Sequence, residues 1–176
     1  MKEQLLLVDA YNVIGSWPEL NQLKLENRMS EARDELLRIL SEYKKYRKIN
    51  MVIIFDAMYV PGLAKKDKHY NLDVVWTGKD ETADSYIESL ARQKQSRFTQ
   101  VIVVTSDQAE QWTVFSAGAL RETSRDLLRD VKRAKREIHL HVHSYKNVGS
   151  GRNLPFSDQQ LKKLAHFRDE LSNRKR

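Results

Sequence analysis

Leu5-Leu6-Leu7-Val8-Asp9-Ala10-Tyr11-Asn12 opens the chain with four consecutive apolar residues, then an acid, an aromatic and an amide. An apolar run without alternation suits a strand covered on both faces, and such strands are usually parallel and central in α/β domains. Ligands of those sheets bind outside the carboxyl ends of the strands, where the strand order reverses. Asp9 therefore falls where a site belongs. A turn or helix-capping role explains a lone acid after a strand equally well, so the rest of the chain has to decide.

Three further runs repeat the pattern. Met51-Val52-Ile53-Ile54-Phe55 ends in Asp56, and Val101-Ile102-Val103-Val104 ends in Thr105-Ser106-Asp107. Leu72–Trp76 reads as a strand interrupted by Asp73. Between the first two strands, Gly15 to Leu25 reads as a loop holding Trp17 and Pro18. From about Asn27 to Tyr46, Met29, Ala32, Leu36, Leu40 and Tyr43 recur at helical spacing and mark a helix covering the sheet. A doubly wound sheet built from these pieces makes the first and fourth runs neighbours and sets Asp9 and Asp107 across the switch point.

Thr77 to Ser85 leads into a helix expected over 81 to 97, with Ala83, Ile87, Leu90 and Ala91 inward. Glu81, Asp84 and Glu88, three and four apart, would share one helical face. The helix dipole accounts for one acid in a first turn without invoking function. It does not account for acids converging from several strand ends. Clustered carboxylates are unfavourable unless protonated or bound to a cation, and a hard divalent ion such as Mg²⁺ resolves the conflict.

The net charge of +7 is unevenly placed. Residues 121 to 176 carry 15 Lys and Arg against 7 Asp and Glu, whereas residues 1 to 120 carry 16 against 17. Such segregation suits a polyanion, although a solvated tail or an acidic partner also fits. Residues 57 to 71 read as a mobile loop in which Lys65, Lys66 and Lys68 interleave with His69 and Tyr70, a composition suited to single-stranded nucleic acid and equally to an ordinary solvated loop. Beyond the Gly118 turn, a helix would carry Arg121, Arg125, Arg129, Lys132 and Arg136 on one stripe able to contact phosphates. Glu122, Asp126 and Asp130 beside it make a salt-bridged solvent face the competing account.

Ile138-His139-Leu140-His141-Val142-His143 alternates like a strand with one histidine face, where two histidines could hold zinc. A polar outward face explains the same alternation. Lys146 to Pro155 reads as a connector, and a basic C-terminal helix is expected from about 157. With 176 residues a single domain over 1–176 is expected. The absence of cysteine excludes disulfides, and with them any disulfide-linked partner. No stretch approaches a membrane span or a signal-peptide core, so a cytoplasmic protein without a membrane partner is expected.

Asp9 with Asn12, Phe55-Asp56, Glu81-Thr82-Ala83-Asp84 and Thr105-Ser106-Asp107, taken in order and with Ser116-Ala117-Gly118-Ala119-Leu120-Arg121, resemble the NYN domains. These are PIN-like metal-dependent ribonucleases, and the likeness is greatest to their YacP-like branch. The resemblance implies a three-layer α/β/α fold with a mainly parallel, Rossmann-like central sheet and a C-terminal helix. It implies endonucleolytic cleavage of single-stranded RNA with Mg²⁺ or Mn²⁺, and mRNA on the translating ribosome as substrate and partner. By resemblance Asp9 and Asp84 are the principal metal-binding acids and Asp107 a third, with Asn12 and Glu81 assisting and Asp56 and Ser106 supporting them. Many PIN domains carry a further acid shortly after the position of Asp107. Gln108 and Ala109 follow here, which leaves the number of ions open.

Two alternatives stand beside the nuclease: a catalytically idle RNA- or ribosome-binding module on the same fold, and a phosphohydrolase or receiver-like domain. A P-loop enzyme is excluded by the lack of a Gly-rich loop ending in Lys-Ser or Lys-Thr.

Overall fold

The structure, a computed structural model, describes residues 2–56, 65–78, 81–106 and 118–150; for 65–69 and 141–150 it describes the backbone path. In chain order the elements are β1 (Glu3–Asp9), α1 (Ala10–Ser16), α2 (Pro18–Leu25), α3 (Met29–Arg47), β2 (Asn50–Phe55), β3 (Lys65–His69), β4 (Leu72–Trp76), α4 (Ala83–Lys94), β5 (Thr99–Val104), β6 (Leu120–Glu122) and α5 (Ser124–Ser150). The chain divides into two compact units, Met1–Arg136 and Glu137–Arg176.

The sheet has the order β3-β4-β2-β1-β5-β6, parallel throughout except for the antiparallel edge strand β3. β1 is central, paired with β2 on one side and β5 on the other, as the unbroken apolar runs require. Alternate strand residues feed two cores. Leu6, Val8, Met51, Ile53, Phe55, Val74 and Val104 pack with α1, α2, α3 and the first three turns of α5. Leu7, Ile54, Val75, Val101 and Val103 pack under α4, which contributes Ala83, Ile87 and Ala91. Helices on both faces make the three-layer α/β/α arrangement. The order reverses at β1, so the crevice between the ends of β1 and β5 is the switch point.

Several sequence expectations are corrected. Gly15 to Leu25 is two short helices and not a loop. Pro18 supplies the first position of α2, where its fixed φ and missing N–H cost nothing, and Trp17 and Leu20 bury beside it. Part of the expected basic loop is strand β3, turned back onto β4 by Tyr70 and Asn71, both at positive φ. Gly118, at φ 73°, leads into a short strand, β6, that the sequence reading missed, so Arg121 lies on that strand and not on the helical stripe. Residues 138–143 are helical within α5, and the helix continues to Ser150 through the expected connector. Residues two apart share a face on a strand but not on a helix, so the pair read from the strand pattern is lost, whereas positions 139 and 143, four apart, fall on one helical face. The segment 57–64, Asp107 with Gln108 and Ala109, Ser116-Ala117 and the helix expected from 157 lie outside the described residues.

Candidate active site at the carboxyl edge of the sheet

Asp9 is the last residue of β1 and the N-cap of α1. Its Oδ1 accepts the Asn12 N–H at 3.2 Å, which fixes the carboxylate at the start of the helix. The residue is only 9% exposed. Burial pushes its carboxyl from the ordinary 3.8 up to about 6; backbone N–H groups of Asn12 and Tyr11 pull the other way, and the charges of Asp84 and Asp56 add to the rise. Capping thus explains part of the geometry, yet a plain cap has no need of two further acids beside it.

Asp56 follows β2. Its Oδ2 accepts the N–H of Ala83 at 3.0 Å, tying the end of β2 to the first turn of α4. Thr82 caps that helix by accepting the Ser85 N–H at 3.2 Å. Together these bonds place Asp84, exposed in the first turn, within electrostatic reach of Asp9. Glu81 precedes the cap, exposed, and its N–H donates to the Gly78 carbonyl. The single acidic helical face expected for Glu81, Asp84 and Glu88 is therefore not formed: α4 begins at Ala83, and Glu88 pairs with Arg92 at 2.5 Å.

Asn12 does something the sequence did not disclose. Its Oδ1 accepts the Ser106 N–H at 2.9 Å and the Ser124 hydroxyl at 2.8 Å, while Ser106 Oγ accepts the Ser124 N–H at 3.2 Å. The ends of β1 and β5 and the start of α5 are thereby clamped together. Trp17 strengthens the clamp, its buried Nε1–H donating to the Ser124 carbonyl at 2.7 Å. With both acceptor positions of Asn12 Oδ1 used, only its amide N–H₂ is left to point toward a substrate.

The basic groups separate. Arg121 Nε–H donates to the Thr105 carbonyl at 3.2 Å and braces the end of β5. Arg129 is ion-paired with Asp126, whereas Arg125 is exposed on α5 with no ion pair among the described residues. Tyr70 is half exposed at the β3–β4 turn, and Lys65, Lys66 and Lys68 lie along β3.

The donors at this edge suit a hard divalent cation. They are carboxylate oxygens, and the burial that chiefly raises Asp9, with the added charges of Asp84 and Asp56, is what such an ion offsets. Among the described residues no three His, Cys, Asp or Glu side chains gather closely enough to hold an ion alone. Asp9 and Asp84 fit the one or two carboxylates plus waters that Mg²⁺ commonly uses.

Residues 6–169 match the family described as the YacP-like NYN domain. The Bacillus subtilis (strain 168) protein named "Uncharacterized protein YacP" is 40% identical over 164 residues, covering 93% of this chain and 96% of that one. The crystal structure of Rae1 (YacP) from Bacillus subtilis superposes with a TM-score of 0.71 at 40% identity, covering 94% of both chains. A tryptophan-to-leucine mutant of the same protein gives 0.73 at 39% identity, over 84% of this chain and 85% of that one. No described helix is long and apolar enough to cross a membrane. With a matching fold, an ordered set of acids at the strand ends and identity along nearly the whole length, this chain belongs to the YacP-like NYN domain family.

Proposed function

We propose that this chain is a metal-dependent endoribonuclease that cuts single-stranded RNA, with mRNA on the translating ribosome as its substrate in the cytoplasm. NYN domains are generally nucleases. The observation that carries the reading for this chain is Asp9: a buried acid at the switch point whose charged neighbours are two more acids, Asp84 and Asp56. Such a carboxylate is costly unless it serves a cation.

Asp9 and Asp84 would hold the ion, with Asp107 as a third ligand and Glu81 acting through water. When bound, Mg²⁺ or Mn²⁺ supplies charge stabilisation for in-line phosphodiester hydrolysis and lowers the pKa of a water. The protein's own part is placement. Asp56 fixes the start of α4, hence Asp84; the Asn12–Ser106–Ser124 clamp fixes the ends of β1 and β5. Arg121, Arg125, Arg129, Tyr70 and the β3 lysines supply RNA or ribosome contact, and the excess positive charge after residue 120 supports that role.

The test maps mRNA 5′ ends in a reconstituted translation reaction for wild type and for folded Asp9→Asn and Asp84→Asn proteins, with the same mRNA free of ribosomes in parallel. Discrete new ends from wild type alone establish an acid-dependent endonuclease. Their appearance without ribosomes would remove the ribosome from the substrate. Identical ends from all three proteins in both settings would leave a binding module.

A further inference from the structure

Arg33 sits in the second turn of α3, and its helix neighbours three and four residues away are Met29, Ser30, Leu36 and Leu37. None is acidic, so the local sequence offers it no partner. Three other arginines of this chain are ion-paired: Arg28 grips Glu26 and Glu31, Arg38 grips Glu35 and Glu42, and Arg92 grips Glu88. Arg33 is held differently. Its guanidinium carbon lies 5.6 Å from the Trp76 ring centroid, and one terminal N–H donates weakly to the Tyr11 hydroxyl at 3.4 Å. Trp76 stacks on Phe55 at 4.4 Å between centroids, and Phe55 meets Tyr11 edge-on at 5.4 Å. Four residues from α1, α3, β2 and β4 close a ring of contacts that orients a half-buried guanidinium without cancelling its charge.

The place is as telling as the pairing. Tyr11 follows Asp9 by two residues, Phe55 immediately precedes Asp56, and Trp76 ends β4 opposite Phe55. Three of the ring's members therefore stand at the edge that carries the acids. A planar guanidinium with no ion pair among the described residues, fixed beside an acidic edge, suits phosphate oxygens, which bare carboxylates repel.

We infer that Arg33, set by Trp76 and Tyr11, is a binding residue for a backbone phosphate of single-stranded RNA flanking the one held at the acidic edge. The inference rests on the nuclease reading for its ligand. Its test does not require cleavage.

The experiment measures binding of a fluorescent uridine-rich single-stranded RNA 12-mer to full-length protein across a salt series, all in the non-cleaving Asp9→Asn background. Adding Arg33→Gln should weaken binding on the order of tenfold and lower the slope of log affinity against log salt by about 0.7, one single-strand phosphate contact. Arg38→Gln, on the same helix but already paired, should leave the slope unchanged. A folded Arg33→Gln protein with the parent's affinity and slope overturns the assignment. If that variant fails to fold, phenylglyoxal modification of the parent decides: protection of Arg33 by the RNA supports the site, and equal modification with and without RNA overturns it. Should wild type fail to cleave while the Arg33 slope change holds, the nuclease reading falls and the phosphate site stands. Asp9-dependent cleavage with an unaffected Arg33→Gln is the converse.

Discussion

Replacing Asp9 by Asn should make the metal-free protein more stable at neutral pH while abolishing cleavage. Burial, with Asp84 and Asp56 nearby, lifts the Asp9 carboxyl from 3.8 to about 6 in the folded state. An acid whose folded pKa is raised contributes stability fully present below its unfolded pKa and lost as pH rises through the folded one. The loss therefore develops between about pH 4 and pH 6 and is complete at pH 7.5. A rise of roughly two pH units corresponds to about 3 kcal/mol. Asn cannot ionise, yet its Oδ1 can still accept the Asn12 N–H that Asp9 accepts at 3.2 Å, so the helix cap is retained. The full 3 kcal/mol is an upper bound, because the new amide N–H₂ needs partners of its own.

Thermal unfolding in a chelator checks this. At pH 7.5 the variant should melt above wild type by up to about 6–12 °C for a chain of this size, and the gap should close near pH 4. Titrating Mg²⁺ should raise the wild-type midpoint and leave the variant's unmoved, since a ligand stabilises only the state that binds it. If Asp9→Asn is no more stable than wild type at pH 7.5, or if its advantage persists undiminished at pH 4, the carboxylate is not strained by burial and the argument for a cation site collapses.

Other perturbations test the scaffold. Asn12→Ala strips the acceptor shared by Ser106 and Ser124 and should cost about 2–4 kcal/mol in urea denaturation, with activity falling through loss of site geometry. Trp17→Phe leaves the buried Ser124 carbonyl short of its 2.7 Å donor and should cost about 1–3 kcal/mol by the same assay, without altering metal affinity. Ile87→Ala, the one large fully buried side chain of α4, should cost about 2–5 kcal/mol and loosen Asp84, read as a weaker Mg²⁺ response. Burial, with Asp130 adding, pushes Glu122 up to about 7 in a cleft it shares with Tyr43 and Arg47. Its stabilising contribution is lost as pH rises from about 4.5 through 7, so Glu122→Gln should gain about 1 kcal/mol at pH 8 after discounting for solvent screening, and nothing at pH 4.

Legibility in the sequence followed the strength of the local pattern. The runs at 5–8, 51–55 and 101–104 have no alternation, and burial on both faces is the physical reason, so the central parallel strands and the neighbouring of the first and fourth runs could be read directly. Helix α3 declared itself through Ala32, Leu36 and Leu40. Where the structure departs, tertiary packing outweighs local pattern. Leu120-Arg121-Glu122 is too short to show a period and becomes a strand only because β5 offers it an edge. Ile138 to His143 alternates by chance of composition within a long helix whose earlier turns are nucleated by Leu127, Val131 and Ala134 against the sheet. At the site, acids were legible because they end strands. The clamp was not, since Asn12 and Ser124 are 112 residues apart and neither carries a spacing signal.

That division has a functional logic. Among the described residues, neutral hydrogen bonds hold much of the edge around Asp9: Asn12 with Ser106 and Ser124, Thr82 with Ser85, Trp17 with the Ser124 carbonyl, while Arg121 donates to the Thr105 carbonyl. Two acids also brace it by accepting backbone N–H groups: Asp9 from Asn12 and Asp56 from Ala83. Ion pairs gather instead on the outer faces of α3, α4 and α5. Had lysines or arginines held the carboxylates in place, their charge would have been consumed and the Asp9 pKa pulled down. On the proposed function, bracing largely with uncharged groups fixes position while leaving negative charge at the switch point for the proposed cation and, at Arg33, positive charge for the proposed phosphate. Geometry and charge are thus supplied by different residues, so loss of an acid and loss of a brace should separate in experiment: the first spares or raises stability and removes the divalent response, the second lowers both together.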